Sequence, residues 1–443
     1  KKRQDEDLSL GSITYAYDRD SNVVESKKLM EIDGNTRVYS VKRMTYDEMG
    51  NMLSAHSLKR TEGSGATPSE VPVNDTVTYT YDMFNRITRS QGPNGRETLN
   101  TYDKNGNLVQ EKAKISNGVY ATTNYEYDGL NRMTSKKVPL SSVDVFKFSD
   151  SSSYSEAVTS YTYYKNNNTK TITDPYGNVT AYEYNHAGKV TKMTTPLNDS
   201  TTYAYDLNGN LVSETNANGK TTSYEYDRYS RLTKQTEPDG AQTRYQYDAM
   251  GNLIKQILPN QTDGGFVYTY DTMNRKLSET NADGSLVQTY TYDSNGNISA
   301  AYNGSGLLCY SYAYDQNDNL IKKTDFEGNT TSYEYDVSGN VTRQTDANNH
   351  ATTYAYNPDS TLSRVNYPDG GQVEYAYDGL GRKTSETKKM NGTASATTAY
   401  KYNWIGAVSE STDAVGTVSK YYYDLNGNLT KTTIGNDISA IRL

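Results

Sequence analysis

Pairs of tyrosines separated by a single residue recur along the chain and predict β-strands. Side chains at alternate positions of a strand share a face, so the rings of Tyr203 and Tyr205 lie together and Ala204 lies opposite. Residues 211–215 and 221–226 form the next two alternating stretches, with turn residues between them. The pattern therefore predicts one β-hairpin after another, with a tyrosine-rich face and a polar face.

Each Tyr-x-Tyr segment is followed by a turn that begins with aspartate. Asp is favoured at the first position of a type I turn, and Gly at the fourth position tolerates positive φ. A second turn alternates with this one, as at residues 237–240, and favours the same type I geometry. Pro at its second position fixes φ at the value that this turn type requires. We predict that the recurring residues are structural; in the most regular repeats they are Tyr203, Tyr205, Asp206, Gly209, Tyr224, Tyr226, Asp227, Tyr245, Tyr247, Asp248, Gly251, Tyr333, Tyr335, Asp336 and Gly339.

The unit recurs about eighteen times, usually about 21 residues apart, which indicates a repeat architecture. We predict an all-β fold in which residues 1–443 form a single array of tandem hairpins, with about 36 strands. Twist makes a flat strip improbable, so we expect a spiralling β-sheet strip, a partial hollow shell or barrel. Residues 54–77 and 138–160 interrupt the period and are predicted to be loop insertions.

Composition narrows the classes of partner. The 443 residues include 44 tyrosines and carry a net charge of −8, which argues against nucleic acid as a partner. No apolar run approaches the roughly 18 residues needed to cross a bilayer, so we expect no membrane insertion. No signal peptide is recognisable, and we expect the sequence to be an excerpt of a longer chain. Cys309 is the single cysteine, which excludes an internal disulfide.

Candidate chemistry is sparse. The many aspartates could be paired for glycoside hydrolysis, but their turn positions explain them better. The loop from Asp103 resembles the start of a calcium loop, yet its glycine is displaced and Lys114 stands where a carboxylate is required. The histidines show no metal-ligand spacing, and Cys309 and Trp404 are expected to pack; the histidines are His56, His186 and His350. We therefore predict no enzyme, no cofactor and no metal.

These motifs resemble the YD-repeat (Rhs) family. The unit Tyr-x-Tyr-Asp-x-x-Gly-Asn-Leu or its close variants stands at residues 203–211, 245–253, 290–298 and 421–429, and the variant ending in Asn-Arg or Gly-Arg at residues 131–132, 274–275 and 381–382. The resemblance covers nearly the whole chain. It implies a β-strip that spirals into a hollow shell, as in bacterial Rhs proteins, wall-associated polymorphic toxins, the B and C components of insecticidal toxin complexes, and teneurins.

The same resemblance implies a structural function. We expect a shell segment that encloses or scaffolds a polypeptide cargo, such as a C-terminal toxin, in a bacterial secreted or cell-surface protein. The expected partners are that cargo or neighbouring shell segments of the parent protein. The family's self-cleaving aspartate site and a separate effector domain are not recognisable in this sequence. The alternative is a cell-surface carbohydrate-binding or adhesion module, since exposed rings suit sugar faces and would make glycans a second class of partner.

Overall fold

The computed structural model describes residues 12–63, 67–139, 156–259, 261, 264–390, 393–403, 406–435 and 437–439. Within these ranges the chain forms 38 strands and one three-residue 3-10 helix, Pro93–Gly95. The all-β prediction is confirmed. The chain divides into two compact units: the first comprises Lys1–Val158, Asp315–Asn319 and Ser332–Leu443, and the second Thr159–Tyr314 and Leu320–Thr331. None of the described residues forms a helix with the length and apolar character needed to traverse a bilayer.

The strands of the first third of the chain are β1 Ile13–Tyr17, β2 Val23–Asp33, β3 Thr36–Tyr46, β4 Met52–Glu62, β5 Ser69–Pro72, β6 Val77–Tyr81, β7 Ile87–Gln91, β8 Glu97–Tyr102, β9 Leu108–Ser116, β10 Val119–Tyr127, β11 Met133–Pro139 and β12 Glu156–Tyr163.

Those of the second third are β13 Thr169–Thr173, β14 Val179–Tyr184, β15 Val190–Thr194, β16 Ser200–Tyr205, β17 Leu211–Thr215, β18 Thr221–Tyr226, β19 Leu232–Thr236, β20 Gln242–Tyr247, β21 Leu253–Ile257, β22 Phe266–Tyr270, β23 Lys276–Thr280, β24 Leu286–Tyr292, β25 Ile298–Asn303 and β26 Leu308–Tyr314.

The remaining strands are β27 Leu320–Asp325, β28 Thr330–Tyr335, β29 Val341–Thr345, β30 Ala351–Tyr356, β31 Leu362–Asn366, β32 Gly371–Tyr377, β33 Lys383–Met390, β34 Thr393–Tyr402, β35 Val408–Thr412, β36 Val418–Tyr423, β37 Leu429–Ile434 and β38 Asp437–Ser439.

In the regular repeats consecutive strands pair antiparallel, and two kinds of turn alternate. The tyrosine turn directly follows Tyr-x-Tyr and joins the two strands of one hairpin, as between β16 and β17. The return turn joins that hairpin to the next, as between β17 and β18. Because neighbouring strands run in opposite directions, the tyrosine turns lie along one side of the sheet and the return turns along the other. We call these sides the tyrosine-turn rim and the return-turn rim.

Every regular tyrosine turn is followed by a β-bulge. Ala204 pairs with Ser213, whereas Tyr205 pairs with Leu211, so Val212 is an extra residue on its strand. The turn ends at Gly209 with φ of 83°, as the sequence predicts for this position. Asparagine or serine takes the same left-handed conformation in the variant turns, at Asn131, Ser230, Asn274 and Ser360 among others.

Fully buried apolar side chains are few. In the first unit Leu29, Tyr39, Val41 and Leu58 form one buried cluster on the long strands β2, β3 and β4. In the described part of the second unit the buried apolar residues are Ile257, Ala300 and Ala301. Most tyrosines are half-buried instead. The ladder of backbone hydrogen bonds and the partly covered rings must therefore supply much of the stability.

The predicted loop insertion at 54–77 is wrong for much of its length. Residues 54–62 complete β4, and β5 pairs with them from Leu58↔Pro72 to Thr61↔Ser69. The long strand has room for two partners, because its first part pairs with β6 instead. The other predicted insertion, 138–160, begins in β11 and ends in β12, and its centre, 140–155, lies outside the described residues.

Candidate functional site

The first residue of the tyrosine turn fixes the turn through its side chain. Oδ1 of Asp206 accepts the backbone N–H groups of Asn208 at 2.9 Å and Asn210 at 2.8 Å, and Oδ2 accepts the Asn210 side-chain amide at 2.9 Å. The bond from the Asn210 side chain is the main reason that the pKa of Asp206 lies below its ordinary value. The same bonds recur at Asp248 and Asp336.

Arginine replaces the asparagine in the variant turns and reaches the next repeat. Arg231 donates from Nε to Oδ2 of Asp227 at 2.7 Å, and from Nη1 to the backbone carbonyl oxygen of Asp248 at 2.8 Å. One guanidinium thus holds its own turn and contacts the following one. Equivalent contacts join Arg86 to Asp103, Arg275 to Asp293 and Arg382 to Asn403.

The asparagine turns are linked to their neighbours in a similar way. The side-chain amide of Asn210 also donates to the hydroxyl of Ser230 at 3.1 Å, in the next tyrosine turn. Asn252 donates to Asn274 at 2.9 Å. Further links of this kind join Asn51 to Asn85, Asn107 to Asn131 and Asn340 to Ser360. Side-chain hydrogen bonds therefore run from turn to turn along the tyrosine-turn rim.

The tyrosine directly before the tyrosine turn forms, in most repeats, a bond that we call the tyrosine latch. The hydroxyl of Tyr226 donates at 2.9 Å to the backbone carbonyl oxygen of Leu211, the first residue of β17. Tyr205 and Tyr247 bond Val190 and Leu232 in the same way. The latch recurs at Tyr46, Tyr81, Tyr102, Tyr127, Tyr270, Tyr292, Tyr356, Tyr377, Tyr402 and Tyr423. Each latch ties a strand to the paired strand before it, across the return turn.

In many repeats the first tyrosine of the pair lies opposite an acidic or amide side chain. Tyr203 pairs with Glu214, and Tyr224 pairs with Gln235. Burial, followed by the charge of Glu214, raises the pKa of both Tyr203 and Tyr224 above the ordinary tyrosine value. These two phenols are therefore neutral at physiological pH.

A lysine joins this face in two repeats. Lys276 Nζ lies 2.9 Å from Oε2 of Glu279, and it lies 5.6 Å and 5.2 Å from the ring centroids of Tyr268 and Tyr290. Such cation–ring contacts stabilise the charged amine. Lys383 repeats the arrangement with Glu386, Tyr375 and Tyr400.

The opposite face is polar and exposed. Glu225, the residue between two tyrosines, is exposed and pairs with Lys234 at 2.8 Å. Ala204 and Gln246 occupy the equivalent exposed positions. Because these positions are exposed, this face is in contact with solvent. Surface ion pairs of this kind contribute little to stability, about 0–1 kcal/mol.

Opposite rims of distant repeats meet within the first unit. The backbone N–H of Gly379, in a tyrosine turn, donates at 3.0 Å to the carbonyl oxygen of Ile115, at the end of β9 beside a return turn. Arg96 lies 3.5 Å from Oδ2 of Asp359, and Asn94 donates a side-chain hydrogen bond to the same carboxylate. We call these five residues the clasp.

The clasp is tightly packed. A Cβ atom added at Gly379 would overlap the backbone carbonyl oxygen of Lys114. Burial acts to raise the pKa of Asp359, but hydrogen bonds from Thr361 and Asn94, with the charge of Arg96, outweigh it and hold that pKa below its ordinary value. The buried carboxylate is therefore ionised and paired across the contact.

Comparisons with known families agree with this repeat geometry. The family model described as RHS Repeat matches residues 163–200, 184–221, 205–242 and 226–263. The model described as Teneurin YD-shell matches residues 255–393. The two models together match from residue 163 to residue 393, just over half of the chain. This chain belongs to the YD-repeat (Rhs-repeat) family.

Solved structures share the YD-repeat fold. The chain is similar to the Tc holotoxin pore of Photorhabdus luminescens, with a TM-score of 0.57 and 12% identity over 95% of this chain and 26% of that one. It is also similar to a crystallised TcdB2-TccC3-TEV protein, with a TM-score of 0.56 and 13% identity over 92% and 24% of the two chains. The chain thus spans about a quarter of the length of these structures. No curated protein shows a significant match.

Of the residues predicted to be structural, the aspartates and glycines lie in the tyrosine turns, Tyr205, Tyr226 and Tyr247 form latches, and Tyr203, Tyr224, Tyr245 and Tyr333 lie within the strands. The structure brings together no group of three or more His, Cys, Asp or Glu side chains that could hold a metal ion within the described ranges. The calcium-like loop at Asp103 uses its carboxylate for the amides of Asn105 and Asn107. His350 contacts Asp346 at 3.3 Å in a return turn, and Trp404 lies outside the described residues.

Two features of the YD repeat were missed at the level of sequence. The period predicted that tyrosine rings line up, but gave no acceptor for their hydroxyl groups. A sequence signal exists, since the acceptor always opens the strand after the preceding tyrosine turn. The clasp had a weaker sequence signal. Among the tyrosine turns, only two have glycine at the second position, namely Gly129 and Gly379.

Proposed function

We propose that this YD-repeat chain is a wall segment of a shell that encloses or scaffolds a polypeptide cargo in a secreted or cell-surface protein. The clasp is the observation that carries the proposal. Contact between opposite rims is the contact that a coiled strip requires between one turn of its coil and the next. A shell also requires that successive hairpins of the wall hold together. The tyrosine latches and the side-chain bonds between tyrosine turns supply this.

The cargo and its location are inferred from similarity. The comparison structures are toxin-complex proteins, and their repeats have the same fold as this chain. Enclosing a cargo requires a continuous sheet around it and does not require catalytic residues in that sheet. The turn carboxylates are held by backbone and side-chain donors, so we propose no catalytic role for them.

Protease protection tests the proposal. The repeats would be produced with the polypeptide that the parent gene encodes next to them, and cleavage of that polypeptide would be followed against time. We expect slow cleavage behind the intact wall and faster cleavage in a Gly379→Glu variant, whose side chain must open the clasp. Gly129→Glu is the matched control, since an added Cβ there meets no neighbouring atom within 4 Å. Equal, rapid cleavage in all three proteins would contradict enclosure.

Carbohydrate binding is the second candidate, and one cleft favours it. A cleft of about 590 Å³ beside the clasp is lined by Lys114, Tyr377, Arg382, Tyr400 and Tyr402, among others. Rings and cations in one cleft suit acidic sugars. A glycan array with the purified chain tests this function, with Tyr400→Ala as the variant that should lose binding. Most other paired tyrosines are half-buried in the sheet, which limits the surface available to a glycan.

A further inference from the structure

Three of the early tyrosine turns carry exposed apolar side chains at their tips. Met83 is 88% exposed and Phe84 is 68% exposed at one turn, Met49 is 72% exposed at the turn before it, and Leu130 is 66% exposed two turns after it, beyond the polar turn at residues 103–106. Single exposed apolar residues are ordinary, but a row of them along one rim is typical of an interaction surface. The asparagine and arginine bonds described above hold these turns in line, so the row is presented on an ordered rim.

The corresponding tips of the late tyrosine turns are covered. Leu425 occupies a tip position and is only 2% exposed, and Leu380 is half-buried at the clasp. Leu207, at the same position of a turn in the second unit, is fully exposed. The tyrosine-turn rim can therefore bury its apolar tips, and at the clasp the partner is a return-turn rim.

The return-turn rim of the late repeats is exposed as well. Val415 is 86% exposed and Tyr367 is 44% exposed at two return turns of the first unit. The turn tips from 347 to 350 are exposed as well. Each copy of the chain thus presents both halves of the contact that the clasp already makes: an apolar tyrosine-turn rim at residues 47–132 and a return-turn rim at residues 346–417.

We propose that the tyrosine-turn rim at residues 47–132 docks the return-turn rim at residues 346–417 of a second copy of this chain. The contact would extend the clasp's rim-to-rim packing from within one chain to between chains. Its two halves differ, so the association is head-to-tail and leaves one free rim of each kind on every oligomer. The assembly therefore grows by addition rather than closing as a symmetric dimer. This inference does not depend on the presence of a cargo.

Sedimentation of the purified chain over a range of concentrations tests the proposal. We expect the weight-average mass to rise above the 49.4 kDa monomer as concentration increases, without a plateau at the dimer. Phe84→Asp removes one half of the contact and Val415→Asp the other, so each variant alone should remain monomeric. Both side chains are exposed, so the fold should survive, and circular dichroism checks this. Val71→Asp, at a 60% exposed site on β5, is the matched control and should associate like the parent chain.

Mixing the two variants is the decisive step. Phe84→Asp keeps a working return-turn rim and Val415→Asp keeps a working tyrosine-turn rim, so the mixture should form a one-to-one dimer, of twice the monomer mass, and nothing larger. A parent chain that stays monomeric at every concentration would overturn the proposal. So would single variants that still associate, or a mixture that remains monomeric. A failure of cargo protection would leave each of these results unchanged, so the two proposals fail separately.

Discussion

The hydroxyl of Tyr226 lies 2.9 Å from the backbone carbonyl oxygen of Leu211, which belongs to the preceding strand, β17. Between them stands the return turn at residues 216–219. The bond therefore crosses the seam between two hairpins, where it adds to the backbone ladder bonds and to the side-chain bonds between tyrosine turns. Its repetition along the chain explains how short strands, most of them only 5–8 residues long, hold together with so few fully buried side chains.

Removing one tyrosine latch should loosen its own hairpin junction. Tyr226→Phe keeps the ring and deletes the donor, so we expect a loss of about 0.5–1.5 kcal/mol in local stability. Because repeat proteins open in segments, amide hydrogen exchange is the appropriate measurement, with faster exchange expected in β17 and β18. Tyr224→Phe is the control, since its hydroxyl takes no part in this contact. Equal effects of both substitutions would contradict the assigned role.

The clasp should not tolerate a methyl group at Gly379. Gly379→Ala places a Cβ against the carbonyl oxygen of Lys114, and we expect a destabilisation of about 1–3 kcal/mol from overpacking. Gly129→Ala makes the same change at the same turn position where space is open, and it should be close to neutral. Denaturant unfolding of the two variants measures the difference. A neutral Gly379→Ala would show that the two rims are not in close contact.

Acid should weaken the tyrosine turns. The pKa values of Asp206 and Asp248 are lowered, chiefly by the side-chain amides of Asn210 and Asn252. The unfolded value is about 3.9, so this stabilisation is complete at pH values well above 4 and is lost as pH falls through the lower folded values. We expect the melting temperature to drop below about pH 4. Asp206→Asn and Asp248→Asn together should make that drop smaller, because two of the recurring carboxylates no longer titrate, and an unchanged profile would count against the turn network.

Alkali should destabilise the tyrosine face, because stability is lost there as pH rises rather than as it falls. Burial is the largest cause of the raised pKa values of Tyr226, Tyr247 and Tyr377. The neutral phenol is favoured in the folded chain, so its stabilisation is full below about pH 10 and is lost as pH rises through the folded values. Ultraviolet difference spectroscopy should show tyrosines ionising together with loss of structure. Ionisation of most tyrosines at their ordinary pKa, without unfolding, would contradict the burial of this face.

The hairpins could be predicted because their causes are local. Alternation at Tyr203 and Tyr205 specifies a strand face, and Asp206 with Gly209 specifies the turn that follows. The bulge at Val212 is also local, but it shifts the register by one residue and leaves no mark in the spacing of tyrosines. The latch depends on that shift together with the hairpin before it, and strand periodicity alone does not give an acceptor atom.

The clasp and the paired strands β4 and β5 could not be predicted for a different reason. Arg96 and Asp359 are far apart in the sequence, and nothing local distinguishes them from other charged residues near turns. The stretch at residues 54–77 breaks the period, which predicts an insertion, yet it forms strands that pair with each other. Interruptions of a repeat indicate where the pattern changes, not whether the backbone there is irregular.

A covalent cross-link across the clasp tests the central claim most directly, namely that rims of distant repeats lock together within one chain. In a Cys309→Ser background, Asn94→Cys and Asp359→Cys should form an intramolecular disulfide under mild oxidation, because their native side chains are hydrogen-bonded to each other. The control pair, Asn94→Cys with Gly129→Cys, stands on opposite rims of the same group of repeats and should stay reduced. We predict that the first pair forms a monomeric, internally linked chain. Free thiols in that pair, or links formed only between molecules, would contradict the account.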